Sequence, residues 1–146
     1  TRAMLILADG VQIDLVHDLP EVVEQKRAII RGENGKLLYE VKRDSLLNDE
    51  TVEETFNRVV TYVGGDYFLT LSDGTRVWLN ADSELEFPVS FVRNERVVKL
   101  QGEAYFEVQR DVNKPFIVDA NGLRTRVLGT SFNVKARRAK CFHNFG

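Results

Sequence analysis

Apolar and polar positions alternate with a period of two through most of the chain. In Tyr67-Phe68-Leu69-Thr70-Leu71, residues Tyr67, Leu69 and Leu71 fall on one face. The pattern resumes after Ser72-Asp73-Gly74-Thr75, with Val77 and Leu79 on one face and Trp78 and Asn80 on the other. Ala104, Phe106 and Val108 alternate against Tyr105, Glu107 and Gln109. Period two belongs to a strand with one buried face. An Asp-Gly or Asn-Gly pair between two such runs signals a hairpin, because a type I′ turn holds both central residues at positive φ. The signal stands at Asp9-Gly10, Asn34-Gly35, Asp73-Gly74 and Asn121-Gly122. Strands this short, broken this often, predict an all-β fold: an antiparallel, jelly-roll-like β-sandwich, with a twisted β-solenoid-like stack as the alternative.

Residues 5–15 echo residues 69–79 in the pattern L-x-L-x-D-G-x-x-[I/V]-x-L. It reads either as two ordinary hairpins or as one structural unit used twice; two copies do not make a solenoid. Residues 44–60 break the alternation. Asn48 or Asp49 could cap a helical turn, yet Val59-Val60-Thr61-Tyr62-Val63 is rich in β-branched residues and runs into Gly64-Gly65. The expectation is an acidic surface loop followed by a strand. Residues 17–26 are expected to be a polar connection, with Pro20 opposing regular structure.

Composition then narrows the class. The 146 residues suit one domain, with 43% hydrophobic and 29% charged residues. Twenty basic residues stand against 22 acidic, a net charge of −2, so no general basic field draws in nucleic acid. The single cysteine, Cys141, rules out an internal disulfide framework. No run approaches the roughly 18 apolar residues of a membrane span. The chain opens on Thr1-Arg2 with no signal peptide, and is expected to be either cytosolic or the soluble piece of a longer protein. Lys135, Arg137, Arg138 and Lys140 form a basic end. With no second basic patch, residues 137–146 read as a truncated or non-native tail rather than a nucleic-acid or membrane contact.

Catalytic chemistry finds little support. His17 and His143 are the two histidines, and Gly129-Thr130-Ser131-Phe132-Asn133 lacks the second glycine of a nucleophile elbow. Glu103 and Glu107 share a strand face about 13 Å apart, too far for the carboxylate pair of a glycosidase, at most about 9.5 Å. Cys141-x-His143 offers two ligands where zinc wants three or four. No enzyme, metal site or cofactor is expected. Trp78 beside Asn80 and Asp82 could stack a sugar ring if exposed; a tryptophan under a second sheet is the commoner case.

One stretch carries a specific resemblance. Gly64-Gly65-Asp66-Tyr67-Phe68-Leu69-Thr70-Leu71-Ser72-Asp73-Gly74-Thr75-Arg76-Val77-Trp78-Leu79-Asn80-Ala81 resembles the FecR family of transmembrane anti-sigma regulators. The likeness continues through Ser83, Leu85, Phe87-Pro88 and Phe91, then from Arg96 to Val108. It resumes at Pro115-Phe116-Ile117-Val118 and at Val127-Leu128-Gly129-Thr130-Ser131-Phe132-Asn133-Val134. Its motif residues are Gly64, Gly65, Tyr67, Asp73, Gly74, Trp78, Asn80, Gly102, Glu103, Tyr105, Phe106, Gly129, Thr130, Phe132 and Asn133.

By this resemblance these positions are mainly structural. Gly102 and Gly129 would relieve strands or permit bulges. Asn80 and Asn133 would bond backbone groups at strand ends, and Trp78, Tyr105, Phe106 and Phe132 would fill or flank the core. Asp66 stands where the family usually has Glu, and Tyr62-Val63 where it often has Pro-Arg. The resemblance implies that residues 1–136 are the periplasmic domain of a single-pass inner-membrane protein. Such a domain receives a signal from the N-terminal domain of a TonB-dependent outer-membrane transducer. It passes the signal to an extracytoplasmic-function sigma factor through a cytoplasmic segment outside this sequence. A carbohydrate-binding β-sandwich using Trp78 is the rival reading. Strands that the family places after Lys135-Ala136 are missing here, so an open edge along residues 127–134 is expected, with weak self-association.

Overall fold

The computed structural model describes residues 2–42, 53–137 and 140–145. The chain forms β1 (Ala3–Ile6), β2 (Gln12–Asp14), β3 (Val22–Gln25), β4 (Ala28–Glu33), β5 (Lys36–Val41), β6 (Phe56–Thr61) and β7 (Tyr67–Thr70). It continues through β8 (Arg76–Leu79), β9 (Ser83–Pro88), β10 (Arg96–Glu107), β11 (Phe116–Ala120), β12 (Leu123–Val127), β13 (Ser131–Arg137) and β14 (Lys140–Phe145). The all-β class is as the alternation predicts. Val22–Gln25 is a strand rather than part of a polar connection, because Pro20 lies ahead of it and leaves its ladder intact. The strand expected around Val59 is β6; most of the acidic loop before it lies outside the described residues.

The strands make one continuous sheet that curls until its halves face each other. The pivot is β10, twelve residues long. Its first half pairs with β9 and β11, and its second half with β8 and β13. The bend falls at Gly102, where φ is +97° and a Cβ would lie 2.2 Å from Ser83 Oγ. Only glycine fits such a backbone in such a space. One half runs β2-β1-β6-β9-β10 and on to β11 and β12; the other runs β10-β8-β7-β5-β4-β3, with β13 and β14 on the far side of β10.

Inward positions on β10 stay in phase across the bend, and Val98, Leu100, Ala104 and Phe106 are all buried. The halves meet through rings: Tyr39 of β5 sets its edge on Phe87 of β9 at 5.0 Å, and Phe106 of β10 meets Phe116 of β11 at 6.0 Å. A buried polar contact crosses the same gap. Asn57 of β6 donates to Tyr39 Oη at 2.8 Å and to Gln25 Oε1 at 2.7 Å. It accepts from Gln25 Nε2 at 2.8 Å and from the Ala8 N–H at 3.1 Å. Every polar atom of this fully buried amide is thus matched, as burial requires.

The wholly antiparallel expectation is corrected in two places. β5 pairs parallel with β7, and β10 parallel with β11. The reason is topological: in each case the chain visits the opposite half before returning, β6 intervening in one case and the second half of β10 in the other. This order does not confirm the jelly-roll detail. The open edge expected along residues 127–134 is corrected from Ser131 onward, since β13 lies between β10 and β14, while β12, which ends at Val127, pairs with β11 alone among the described residues.

Two of the four turns are type I′. Asn34 and Gly35 sit at φ 53° and 77°, and Asn121 and Gly122 at 55° and 82°. At Asp9-Gly10 and Asp73-Gly74 only the glycine is positive, at 93° and 91°. There the Leu7 and Leu71 carbonyls accept the Gly10 and Gly74 N–H at 2.9 Å each. The Asp9 and Asp73 carboxylates accept the Val11 and Thr75 N–H, both at 3.0 Å. These are type I turns closed by a left-handed glycine bulge, and an aspartate bonding the backbone two residues on favours that form. The echo between residues 5–15 and 69–79 is therefore a real repetition of one turn.

Candidate functional site

The motif residues resolve into three constellations. The first centres on Arg96, which stands in phase with the inward apolar residues of β10 and is 1% exposed. Its Nη1 donates to Asp73 Oδ2 at 2.7 Å and to the Gln109 carbonyl at 2.8 Å. Nε donates to the Lys114 carbonyl at 2.7 Å and Nη2 to the Leu128 carbonyl at 3.4 Å. The guanidinium also lies over the Phe116 ring, 5.4 Å from its centroid. One buried cation thus ties the β7–β8 turn, the loop after β10 and the β12–β13 connection into one end of the fold. Planar, permanently charged arginine suits such a multi-acceptor site. Beside it, Gly129 is forced by space: a Cβ would meet the Arg110 backbone at 2.5 Å. The Thr130 carbonyl accepts the Val108 N–H at 3.2 Å.

The second constellation holds Glu103. Asn80 Nδ2 donates to its Oε1 at 2.9 Å and Asn133 Nδ2 to its Oε2 at 2.8 Å. The two asparagines were expected to bond backbone groups; instead they grip one carboxylate from the strands on either side. Glu107, the other half of the tested carboxylate pair, is engaged by Arg76. Both glutamates are thus held by neighbouring side chains.

The third is aromatic. Trp78 of β8 is 37% exposed, which corrects the core placement expected for it, and Tyr105 of β10 is equally exposed. Both sit on the outer face because they alternate with buried Val77, Leu79, Ala104 and Phe106. Phe68, Trp78 and Tyr105 are cross-strand neighbours, with ring centroids 4.8 Å and 5.7 Å apart. Phe106 and Phe132 fill the core as expected, stacked at 5.5 Å. Gly64 and Gly65 turn the chain after β6, where a Cβ on Gly65 would collide with the Arg2 carbonyl at 2.4 Å. Tyr67 is buried, and burial pushes its hydroxyl above the ordinary tyrosine range.

Two further titrating groups, Glu54 and Lys114, feel each other's charge. Burial raises the Glu54 carboxyl and lowers the Lys114 ammonium. His17 meets Asp14 at 3.2 Å on the surface. Among the described residues no group of three or more histidine, cysteine or acidic side chains could hold a metal. No helix among them is long and apolar enough to cross a membrane. An open groove of about 790 Å³ follows the bend of β10, lined by Gln101, Gly102, Ser83 and Glu84 among others.

Arg96 and Asn57 were not singled out from the sequence. The available signal was phase: each is a polar residue at an inward position of an alternating strand, which demands a buried partner.

The fold and its clamps define an all-β domain whose matched polar groups hold strands and loops together. Residues 57–142 match the FecR protein family. Two crystal structures of a candidate anti-sigma factor from Parabacteroides distasonis share the fold, each at 35% identity, with TM-scores of 0.57 and 0.55. The alignments cover 62% and 60% of this chain and 47% of each of those chains, so this chain spans about half their length. No curated protein matches. The chain belongs to the FecR family.

Proposed function

We propose that this chain is the periplasmic sensor and relay domain of a single-pass inner-membrane anti-sigma regulator. It receives its signal from the N-terminal domain of a TonB-dependent outer-membrane transducer and controls an extracytoplasmic-function sigma factor. The observation that carries the reading is the FecR match over residues 57–142, on a fold shared with structures that bear the anti-sigma name. The domain works by docking, without catalysis or a cofactor. A partner that binds one conformation better than another shifts the equilibrium by the difference in affinity. The rigid clamps around Arg96 and Glu103 support this, since a relay must transmit a displacement without dissipating it.

The test is a binding titration of this chain against the purified N-terminal domain of the TonB-dependent transducer encoded beside its gene. A sigma-dependent reporter in cells carrying the full-length regulator accompanies it. A saturable complex, and a reporter that loses its response to the transducer when this domain is deleted, support the reading. No complex together with an unchanged reporter response overturns it.

A further inference from the structure

The outer face of the first half of the sheet carries charges in alternation, and the alternation runs out at an open edge. Cross-strand register sets Arg58 of β6 opposite Glu86 of β9, and Glu86 opposite Lys99 of β10. Lys99 stands opposite Asp119 of β11, and Asp119 opposite Arg124 of β12. The sign changes at every strand, so each charge has neighbours of the other sign, the favourable cross-strand arrangement. The row stops at Arg124, because β12 pairs only with β11 among the described residues. Arg126 shares that face, since buried Thr125 stands between the two. It lies opposite Ile117 rather than a carboxylate. Both arginines are exposed, and neither makes an ion pair among the described residues.

The backbone of the edge opens at the same two residues. The two-residue loop Asn121-Gly122 makes its flanking residues, Ala120 and Leu123, a hydrogen-bonded pair, and bonded pairs then alternate along the antiparallel ladder. Leu123, Thr125 and Val127 therefore turn their N–H and C=O groups to β11, and Arg124 and Arg126 turn theirs to the open side. On the inner face Leu123 is 48% exposed and Val127 is only partly buried, so apolar surface is uncovered there as well.

We infer that β12 is a docking edge for an extended strand of another polypeptide in which acidic and apolar side chains alternate. One acid lies opposite Arg124 and the next opposite Arg126, continuing the alternation of charge by one more strand. The apolar residues between them fall on the inner face, beside Leu123 and Val127. Main-chain bonds to the two arginines hold the strand in the sheet, and the side chains decide which strand is accepted. A basic strand sets like charges opposite each other and is disfavoured. A second copy of β12 laid edge to edge does the same, arginine against arginine, which is how a charged edge resists pairing with itself. The inference goes beyond the relay reading and does not depend on it, because the edge recognises the chemistry of the strand, whatever protein carries it.

The experiment titrates the full chain into a capped, fluorescently labelled peptide of sequence TVEVEVT and follows its anisotropy. TVKVKVT is the charge control. Two backbone controls carry N-methyl groups: one on both glutamates, whose N–H groups face β12 in the paired strand, and one on the central valine, whose N–H faces away. The expected result is saturable binding of TVEVEVT with a Kd of about 100 μM or tighter, weakening as salt rises, with slowed amide exchange at Arg124 and Arg126. TVKVKVT and the glutamate-methylated peptide should bind at least about tenfold more weakly, and the valine-methylated peptide like the parent. Arg124→Glu combined with Arg126→Glu should reverse the preference, taking TVKVKVT over TVEVEVT. Circular dichroism establishes that this variant is folded; should it fail to fold, Arg124→Gln combined with Arg126→Gln carries the comparison by losing the preference. Lack of saturable binding of TVEVEVT overturns the inference. So does equal binding of TVKVKVT, or binding that survives methylation of the glutamates. A dimer of the chain that TVEVEVT disperses also overturns it, by making a second copy the occupant.

Discussion

Neutralising Asp73 should expose how much the fold depends on the buried charge of Arg96. The two meet at 2.7 Å, with side chains 2% and 13% exposed. Asp73→Asn keeps an oxygen to accept the Thr75 N–H, so the turn survives. It leaves the guanidinium without its carboxylate, deep enough that water cannot replace it. Breaking a buried pair from one side costs about 3–5 kcal/mol. Three carbonyls still accept from Arg96, so the expected cost is the lower figure, about 3 kcal/mol. Total stability for a domain of this kind is about 5–15 kcal/mol. With a urea m-value of about 2 kcal/mol per molar, the midpoint should fall by about 1.5 M. Arg96→Met strands Asp73 and the same three carbonyls, and should cost a similar amount. The double variant should cost less than the sum by about 2 kcal/mol, because its two halves no longer leave an unpaired charge. Urea unfolding of the four proteins decides it. An Asp73→Asn cost below about 1 kcal/mol, or strictly additive costs, would refute the reasoning.

Further expectations follow from single observations. Gly102→Ala should destabilise by more than about 2 kcal/mol, because it adds a left-handed alanine and drives a Cβ into Ser83; Ser83→Ala should relieve only part of that in the same unfolding assay. Gly74→Val should cost about 1–2 kcal/mol from φ alone, since a Cβ there meets Gln109 only at 3.5 Å; a thermal midpoint equal to the parent's would contradict the bulge. Asn57→Leu should cost about 2–4 kcal/mol by orphaning Gln25, Tyr39 and the Ala8 N–H. Burial raises the Tyr39 hydroxyl above its unfolded value, so its contribution is complete below about pH 10 and is lost as pH rises beyond it. Stability measured from pH 8 to 11 should decline at the alkaline end, and less steeply in Tyr39→Phe.

Strand existence was legible because period two and turn dipeptides are local signals, and β7, β8 and the second half of β10 fall where the alternation places them. Gly102 was legible as a point of relief but not as the pivot of the whole sheet. That role depends on β9 and β8 leaving β10 on opposite sides of the bend, a non-local fact. The parallel pairs were invisible for the same reason, since they depend on which half the chain visits in between. Trp78 was misplaced because alternation says which residues share a face, not which face is covered. Val77 and Leu79 supplied that answer, being the apolar set in phase with the buried strands around them. The asparagines escaped because their partner, Glu103, lies on a third strand and at no fixed sequence distance.

The repeated turn shows how one local code can carry two different loads. Leu7 to Val11 and Leu71 to Thr75 form the same hydrogen bonds at nearly the same lengths, with the same aspartate contact and the same left-handed glycine. The sequence L-x-D-G is sufficient for that, since every contact in it spans four residues or fewer. What differs is the second oxygen of the aspartate. Asp73 Oδ2 receives both Thr75 Oγ1 at 2.8 Å and Arg96 Nη1 at 2.7 Å, while Asp9 lies on the exposed surface. Thr75 is what makes the difference possible: buried where Val11 is exposed, it draws its turn into the fold and brings the carboxylate within reach of the cation. The first copy is therefore a hairpin that ends a sheet. The second is the same hairpin turned into an anchor, through which β7 and β8, the strands bearing Phe68 and Trp78, are fastened to the loops at one end of the domain.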